Sequence, residues 1–151
     1  MEFGVCFKGE LSPKRLRRLV QQLEAGGFDY CWFYDSHILW RDCYVAMAMC
    51  MEHTSRIRFG PCVTNPGVRE WSVAASLFAA LALQSEGRFD IGLGRGDSSL
   101  RVMGKRPANL KSMVEFGQQV KAMVRGEEAT YPDCPSSVKF PWAAGHGPVV
   151  A

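Results

Sequence analysis

Residues 85–97, SEGRFDIGLGRGD, set charged and hydroxyl-bearing side chains around a glycine loop, and the rest of the chain can be read around them. The order is a helix end, a short strand, a glycine loop and a run of capping oxygens. Gly87 suits a helix stop, because glycine enters the left-handed turn without steric penalty. Arg88 to Leu93 reads as a short buried strand. Gly94, Arg95 and Gly96 let the backbone leave that strand and approach a ligand closely. Asp97, Ser98 and Ser99 then supply oxygens suited to cap a following helix. Parallel α/β folds bind their ligands at such junctions. Arg95 could meet an anionic group there, or simply lie on the surface at a strand end. The dinucleotide fingerprint is incomplete, since Asp97 stands where its third glycine or alanine belongs, and no Gly-Lys-Ser/Thr follows to cradle a phosphate chain. The same letters also fit a glycine-rich turn that holds no ligand.

Two other loops carry functional residue types. Asp35, Ser36 and His37 follow the aromatic run FDYCWFY. His37 can move a proton near neutral pH, although a loop histidine with a local hydrogen bond explains it equally. Asp35 could be a cap or turn former. Thr64-Asn65-Pro66-Gly67 closes an apolar run and is an ordinary turn sequence. Arg69 and Glu70 read as an exposed loop pair.

Other chemistries are excluded by count and spacing. The six cysteines contain no Cys-x-x-Cys, and the three histidines show no metal-ligand spacing, so no metal site is expected and the thiols read as scattered buried groups in a reducing compartment. The net charge of +3 arises from 18 basic and 15 acidic residues spread along the chain, without the basic stripe that nucleic-acid binding requires. Lys14, Arg15, Arg17 and Arg18 fall on the solvated face of an amphipathic helix. No signal peptide is evident and no apolar run approaches the ~18 residues of a membrane span, so a cytoplasmic protein is expected.

The positioning elements alternate regularly. A strand at Glu2–Phe7 precedes a helix opened by Ser12-Pro13 and stopped at Gly26-Gly27. Phe28–Tyr34 is a strand buried on both faces. Asp42 caps a helix over Tyr44–Met51, Ile57–Val63 is a strand, and a helix over Val73–Leu83 leads into the strand at Arg88–Leu93. Asn109–Arg125 is an amphipathic helix whose inner stripe should be Leu110, Met113, Val114, Val120 and Val124. Residues 127–147 read as an irregular loop, and Pro148-Val149-Val150-Ala151 as the start of another strand. Four βα repeats imply a parallel sheet with right-handed crossovers. An eight-stranded barrel needs ~250 residues, so a barrel reading makes residues 1–151 a single partial domain, a half-barrel fragment that stops on entering a fifth strand.

Three segments taken together decide between an open sheet and a barrel. FDYCWFYDSH, TSRIRFGPCVTNPGVRE and SEGRFDIGLGRGDSS with MGKRP behind it resemble, in that order, the bacterial-luciferase-like flavin and deazaflavin oxidoreductases. The resemblance covers residues 1 to about 131 and is nearest to members that use coenzyme F420, including methylenetetrahydromethanopterin reductase. It implies a (β/α)8 barrel of TIM type, of which this chain holds the first four units, and a homodimer. It also implies a ring cofactor at the carboxyl ends of the strands: coenzyme F420, or alternatively FMN.

Carried onto this sequence residue by residue, the resemblance assigns catalytic roles to His37 and Asp35, one of which holds the family's polar position. It assigns cofactor contacts to Val63, Thr64 and Asn65, with Asn65 donating to the ring's pyrimidine edge and a non-prolyl cis peptide in a bulge beneath the ring. Gly94, Arg95, Gly96 and Asp97 complete the pocket. The implied activity is hydride transfer between reduced F420 and a small organic substrate, with a flavin or F420 reductase as a possible partner. An FMN-dependent luciferase-like monooxygenase is the alternative enzyme. The alternative of another class is an inactive truncated half-barrel that associates with itself.

Overall fold

Burial alternates strictly along the strand Tyr30–Phe33, with Cys31 and Phe33 at 0% and 1% exposure and Tyr30 and Trp32 only partly covered. That period of two marks a sheet with one face against helices and one face open. A computed structural model describes residues 1–131 and 135–143, together with the backbone of 149–150. In chain order the elements are β1 (Gly4–Phe7), α1 (Pro13–Ala25), β2 (Tyr30–Phe33), α2 (Cys43–Met51), β3 (Arg58–Pro61), α3 (Trp71–Gln84) and β4 (Asp90–Ile91). They continue with α4 (Asp97–Val102), α5 (Leu110–Val124), β5 (Ala129–Thr130), β6 (Ser137–Val138) and β7 (Val149–Val150).

The fold is α/β with a parallel sheet. β1, β2 and β3 pair in sequence order, with Phe7 beside Phe33 and Phe33 beside Pro61. β3 and β4 join through parallel bridges at Phe59–Phe89 and Thr64–Leu93, and β4 pairs in parallel with β7. On the helix side, Phe59, Phe89 and Ile91 pack with Met47 of α2 and with Ala74, Phe78 and Ala82 of α3, all at or below 1% exposure. On the open face, Tyr30 and Trp32 stack with ring centroids 4.9 Å apart. Arg58 there clasps Asp90 through two bonds of 2.6 Å.

The opposite, amino-terminal edge of the sheet is fixed by two side chains. Glu24, at the end of α1, accepts the backbone N–H groups of Ser55, Arg56 and Ile57 at 2.9, 2.6 and 2.9 Å. Although its partial burial would raise the carboxyl, these three backbone bonds hold it below the usual range. Arg88 donates to the carbonyls of Met51, Thr54 and Ile57 and to the Thr54 hydroxyl, satisfying acceptors at the end of α2. The segments TSRIR and GRF are therefore clamps between α1, α2 and the starts of β3 and β4.

Several expectations need correction. Residues 127–147 are not wholly irregular: β5 and β6 form a short antiparallel ladder. Residues 132–134, 144–148 and 151 lie outside the described residues. The inner stripe of α5 is Phe116, Val120, Met123 and Val124, while Leu110 and Val114 are 75% and 48% exposed. The cap of α4 is Gly96 in the left-handed conformation, with no capping side chain, so Asp97, Ser98 and Ser99 lie inside that helix. Among the described residues no helix is long and apolar enough to cross a membrane.

Candidate functional site

At the carboxyl ends of β2, β3 and β4 the chain leaves a cleft of about 220 Å³. Its walls are Tyr34, Asp35 and Ser36 after β2, Cys62 and Val63 after β3, and the segment Arg95 to Ser99 after β4. Parallel pairing puts these ends on one edge. Tyr34 N donates to Phe7 O at 3.1 Å, Cys62 N to Phe33 O at 2.7 Å and Gly92 N to Pro61 O at 3.2 Å.

The floor of the cleft is a bulge. Five residue steps separate Phe59 from Thr64, but only four separate their bridge partners Phe89 and Leu93. β3 therefore carries one extra residue, after which the ladder resumes with Thr64 N to Gly92 O at 2.9 Å and Gly94 N to Thr64 O at 2.8 Å. The Cys62–Val63 peptide within the bulge is cis. Val63 is 39% exposed. Gly94 packs directly against it, since a Cβ there would overlap Val63 Cγ2. Gly96 (φ 77°) lies as close to the Asn65 amide. These two glycines are thus required by close packing within the protein, before any ligand is considered.

Behind the cleft wall sits a polar cluster. Asp35 is 4% exposed. Its Oδ2 accepts from the Tyr44 hydroxyl at 2.8 Å, the Thr64 hydroxyl at 2.8 Å and Arg69 Nη1 at 2.9 Å, and its Oδ1 accepts from Arg69 Nη1 at 3.0 Å. Arg69 Nη2 continues to Asp42 Oδ2 at 3.0 Å, and its guanidinium lies 4.5 Å from the centre of the Tyr44 ring. Asp42 is the cap of α2, accepting from Tyr44 N and Val45 N. Burial, then the Asp35 charge, push the Tyr44 hydroxyl well above its usual range, so it stays a neutral donor. Burial acts to lower the Arg69 guanidinium, but the Asp35 and Tyr44 groups outweigh it and hold it above its ordinary value.

The expected exposed loop pair holds for Glu70, which is exposed, but not for Arg69. Arg69 belongs to this buried cluster, and Glu70 caps α3 by accepting from Ser72 N and Val73 N at 2.9 and 3.2 Å. Sequence reasoning missed Arg69 because its partners are 34 and 27 positions away, so no local pattern announces them.

The sequence-predicted residues divide into three groups. Asp35, Val63, Arg95, Gly96 and Asp97 line the cleft. Thr64 and Asn65 lie beneath it at 0% exposure. Thr64 bonds Asp35, while Asn65 Nδ2 donates to Ser99 Oγ at 3.0 Å and Asn65 Oδ1 accepts from Gly67 N at 3.1 Å. Gly94 packs under Val63, and His37 stands exposed at the start of the turn after β2, outside the cleft wall. Arg95 Nε donates to Ala108 O at 3.1 Å, which fixes its direction along the rim.

A family model for luciferase-like monooxygenases matches residues 1–150. The chain belongs to the luciferase-like monooxygenase family. Within this family's reach, it is 30% identical over 135 residues to 5,10-methylenetetrahydromethanopterin reductase of Archaeoglobus fulgidus, covering 87% of this chain and 40% of that protein. The solved coenzyme F420 dependent tetrahydromethanopterin reductase of Methanopyrus kandleri superposes with a TM-score of 0.78 at 23% identity, covering 98% of this chain and 46% of that one. The oxygenating constituent of 3,6-diketocamphane monooxygenase from Pseudomonas putida, solved in complex with FMN, superposes with a TM-score of 0.71 at 21% identity, covering 93% and 44%. The chain thus spans less than half the length of these relatives, and a partial barrel fits that coverage.

Proposed function

We propose that this chain provides one wall of the cofactor site of an oxidoreductase, as the first four βα units of a luciferase-like barrel. The cofactor is coenzyme F420, which when bound supplies hydride chemistry toward a small organic substrate. The observation that carries the reading is the convergence of three successive strand ends on one cleft. The residues fit a planar ring. Val63 offers an apolar surface from the bulge, Gly94 adds no side chain that would cover it, and Ser36, Ser98 and Arg95 offer polar groups at the border. The cleft's volume of about 220 Å³ falls below the ~300–1,000 Å³ of complete ligand pockets, which suits one wall and not an enclosed site.

His37 is the group proposed to pass a proton to or from the substrate, being exposed beside the cleft. Asp35 acts by position, because its oxygens are already filled by Tyr44, Thr64 and Arg69. FMN is the alternative ring, favoured by the FMN complex among the structural relatives. A reductase supplying reduced cofactor is the expected partner under either choice. A homodimer is proposed as well, supported by Val45 and Val73, which point outward from α2 and α3 at 62% and 61% exposure.

The test is a fluorescence titration of the purified chain with F420 and, separately, with FMN. Saturable binding of one of them, weakened at least about tenfold by the cleft-filling Ser98→Tyr, supports the wall assignment. Binding that ignores Ser98→Tyr, or no binding of either ring, rejects it.

A further inference from the structure

Four side chains on one face of α1 meet a histidine from the end of α2 around a second cavity, of about 370 Å³. Lys14, Arg17, Arg18 and Gln21 are spaced i, i+3, i+4 and i+7, the interval that brings helical residues to one side. His53 lies in the turn after α2 and is anchored to that side at two points. Its Nε2 is 2.9 Å from Arg17 Nη1, and its carbonyl accepts from Gln21 Nε2 at 3.3 Å. A guanidinium only donates, so Nε2 accepts and the ring N–H lies on Nδ1. The cavity thus gathers three cations, an amide and an imidazole, and no carboxylate lines it. It shares no residue with the cleft at the carboxyl ends of the strands.

These cations lack partners within the protein. Among the described residues none of Lys14, Arg17 and Arg18 takes part in an ion pair. Glu24, the acidic residue of α1, is committed to the backbone N–H groups of Ser55, Arg56 and Ile57. Lys14 and Arg18 repel each other at i, i+4. The first turn of α1, an end that favours anions, holds Lys14 and Arg15 and no acid. Local rules broken in this way, with no compensation from the fold, mark functional sites. We propose that this cavity binds a diphosphate group. Arginine forks match phosphate oxygens, and lysine adds a compact charge. Three cations suit a multiply charged group better than a single carboxylate. No apolar side chain lines the cavity, so the anion itself is what the site recognises. The volume lies within the ~300–1,000 Å³ of small-molecule pockets. The site needs only α1 and α2 and does not depend on the cofactor reading.

The full chain is titrated by calorimetry with inorganic pyrophosphate and, separately, with orthophosphate and ADP. Pyrophosphate should bind saturably, more weakly as salt is added, and orthophosphate at least about tenfold more weakly than pyrophosphate. Lys14→Gln and Arg18→Gln should each lower pyrophosphate affinity at least about tenfold, while Arg15→Gln, on the same helix but outside the cavity, leaves it unchanged. The ring signals of His53 in a proton–carbon NMR spectrum should move during the pyrophosphate titration of the unaltered chain, a measurement that needs no variant. ADP bound at least as tightly as pyrophosphate assigns the site to a diphosphate ester, and ADP bound more weakly assigns it to the free ion. Absence of saturable pyrophosphate binding, orthophosphate bound as tightly, full affinity in Arg18→Gln, an equal loss in Arg15→Gln, or unmoved His53 signals overturn the site.

Discussion

Arg69 and Asp35 form a buried ion pair in which one guanidinium nitrogen, Nη1, lies 3.0 Å and 2.9 Å from the two carboxylate oxygens. The side chains are 16% and 2% exposed, so water screens neither well. The pair ties the loop after β3 to the loop after β2, and through Asp42 it reaches the first turn of α2. One residue thereby sets the relation between the two sides of the cleft. Removing Arg69 leaves the buried Asp35 carboxylate without a counter-charge, which costs about 3–5 kcal/mol. Arg69→Met should therefore lower the unfolding free energy by about that amount at neutral pH, measured by urea titration. Asp35→Asn combined with Arg69→Met should cost less than the two single changes added together. Strict additivity would show that the two side chains do not depend on each other.

The bulge and the glycine loop are matched in shape at Val63 and Gly94. A methyl group at position 94 would occupy the place of Val63 Cγ2, so Gly94→Ala forces a shift in the floor of the cleft. Overpacking of this kind costs about 1–3 kcal/mol. Trimming Val63 to alanine removes the obstructing atom, and Gly94→Ala with Val63→Ala should recover most of the loss. Thermal unfolding of the three variants reads the compensation, and a double variant no more stable than Gly94→Ala alone would contradict the packing account.

What the sequence could reveal follows the range of the interactions concerned. The βα alternation was legible because apolar runs, caps and glycine stops are local signals. Asp42 before α2, Asn109 before α5 and Gly87 after α3 all stand at the ends where such residue types belong. The α5 stripe was misread because an apolar period begun at Leu110 describes an isolated helix, whereas the helix turns Phe116 and Met123 into the core as it packs against α3. The cap of α4 was misplaced for a different reason. Gly96 takes a left-handed conformation against Asn65, a contact from another loop that no reading of DSS could supply. The ambiguity of Asp35-Ser36-His37 was equally non-local. Only the donors from Tyr44, Thr64 and Arg69 turn Asp35 inward and leave His37 on the surface.

Glu24 makes stability depend on pH in a defined direction. Its folded carboxyl lies below the ordinary value of 4.5, so the folded state binds that proton less readily than the unfolded chain does. The contribution is fully present above the unfolded value and is lost as pH falls through the folded one. Glu24→Gln keeps an oxygen acceptor for Ser55, Arg56 and Ile57 but removes the charge, which should cost about 1–2 kcal/mol at neutral pH. The difference between the two chains should shrink as pH falls from neutral to below the ordinary carboxyl value of 4.5. Urea unfolding across that interval checks it, and a constant difference at all pH values would assign the acid sensitivity to other groups.

The helices α2 and α3 contain no charged residue, CYVAMAMCM and WSVAASLFAALALQ, although each has a side turned away from the sheet. A helix that is apolar all round belongs in contact on all sides, and the outward residues Val45 and Val73 are 62% and 61% exposed in the single chain. The proposed second copy, seated on this surface, would cover the two apolar sides. Val45→Lys and Val73→Lys, singly and together, should leave the fold intact, because exposed substitutions alter stability by only about 0.5 kcal/mol. The same changes should convert a dimer to a monomer in sedimentation velocity, with the double variant shifted furthest. An unaltered chain that sediments as a monomer, or a double variant that still sediments as a dimer, would place the association surface elsewhere.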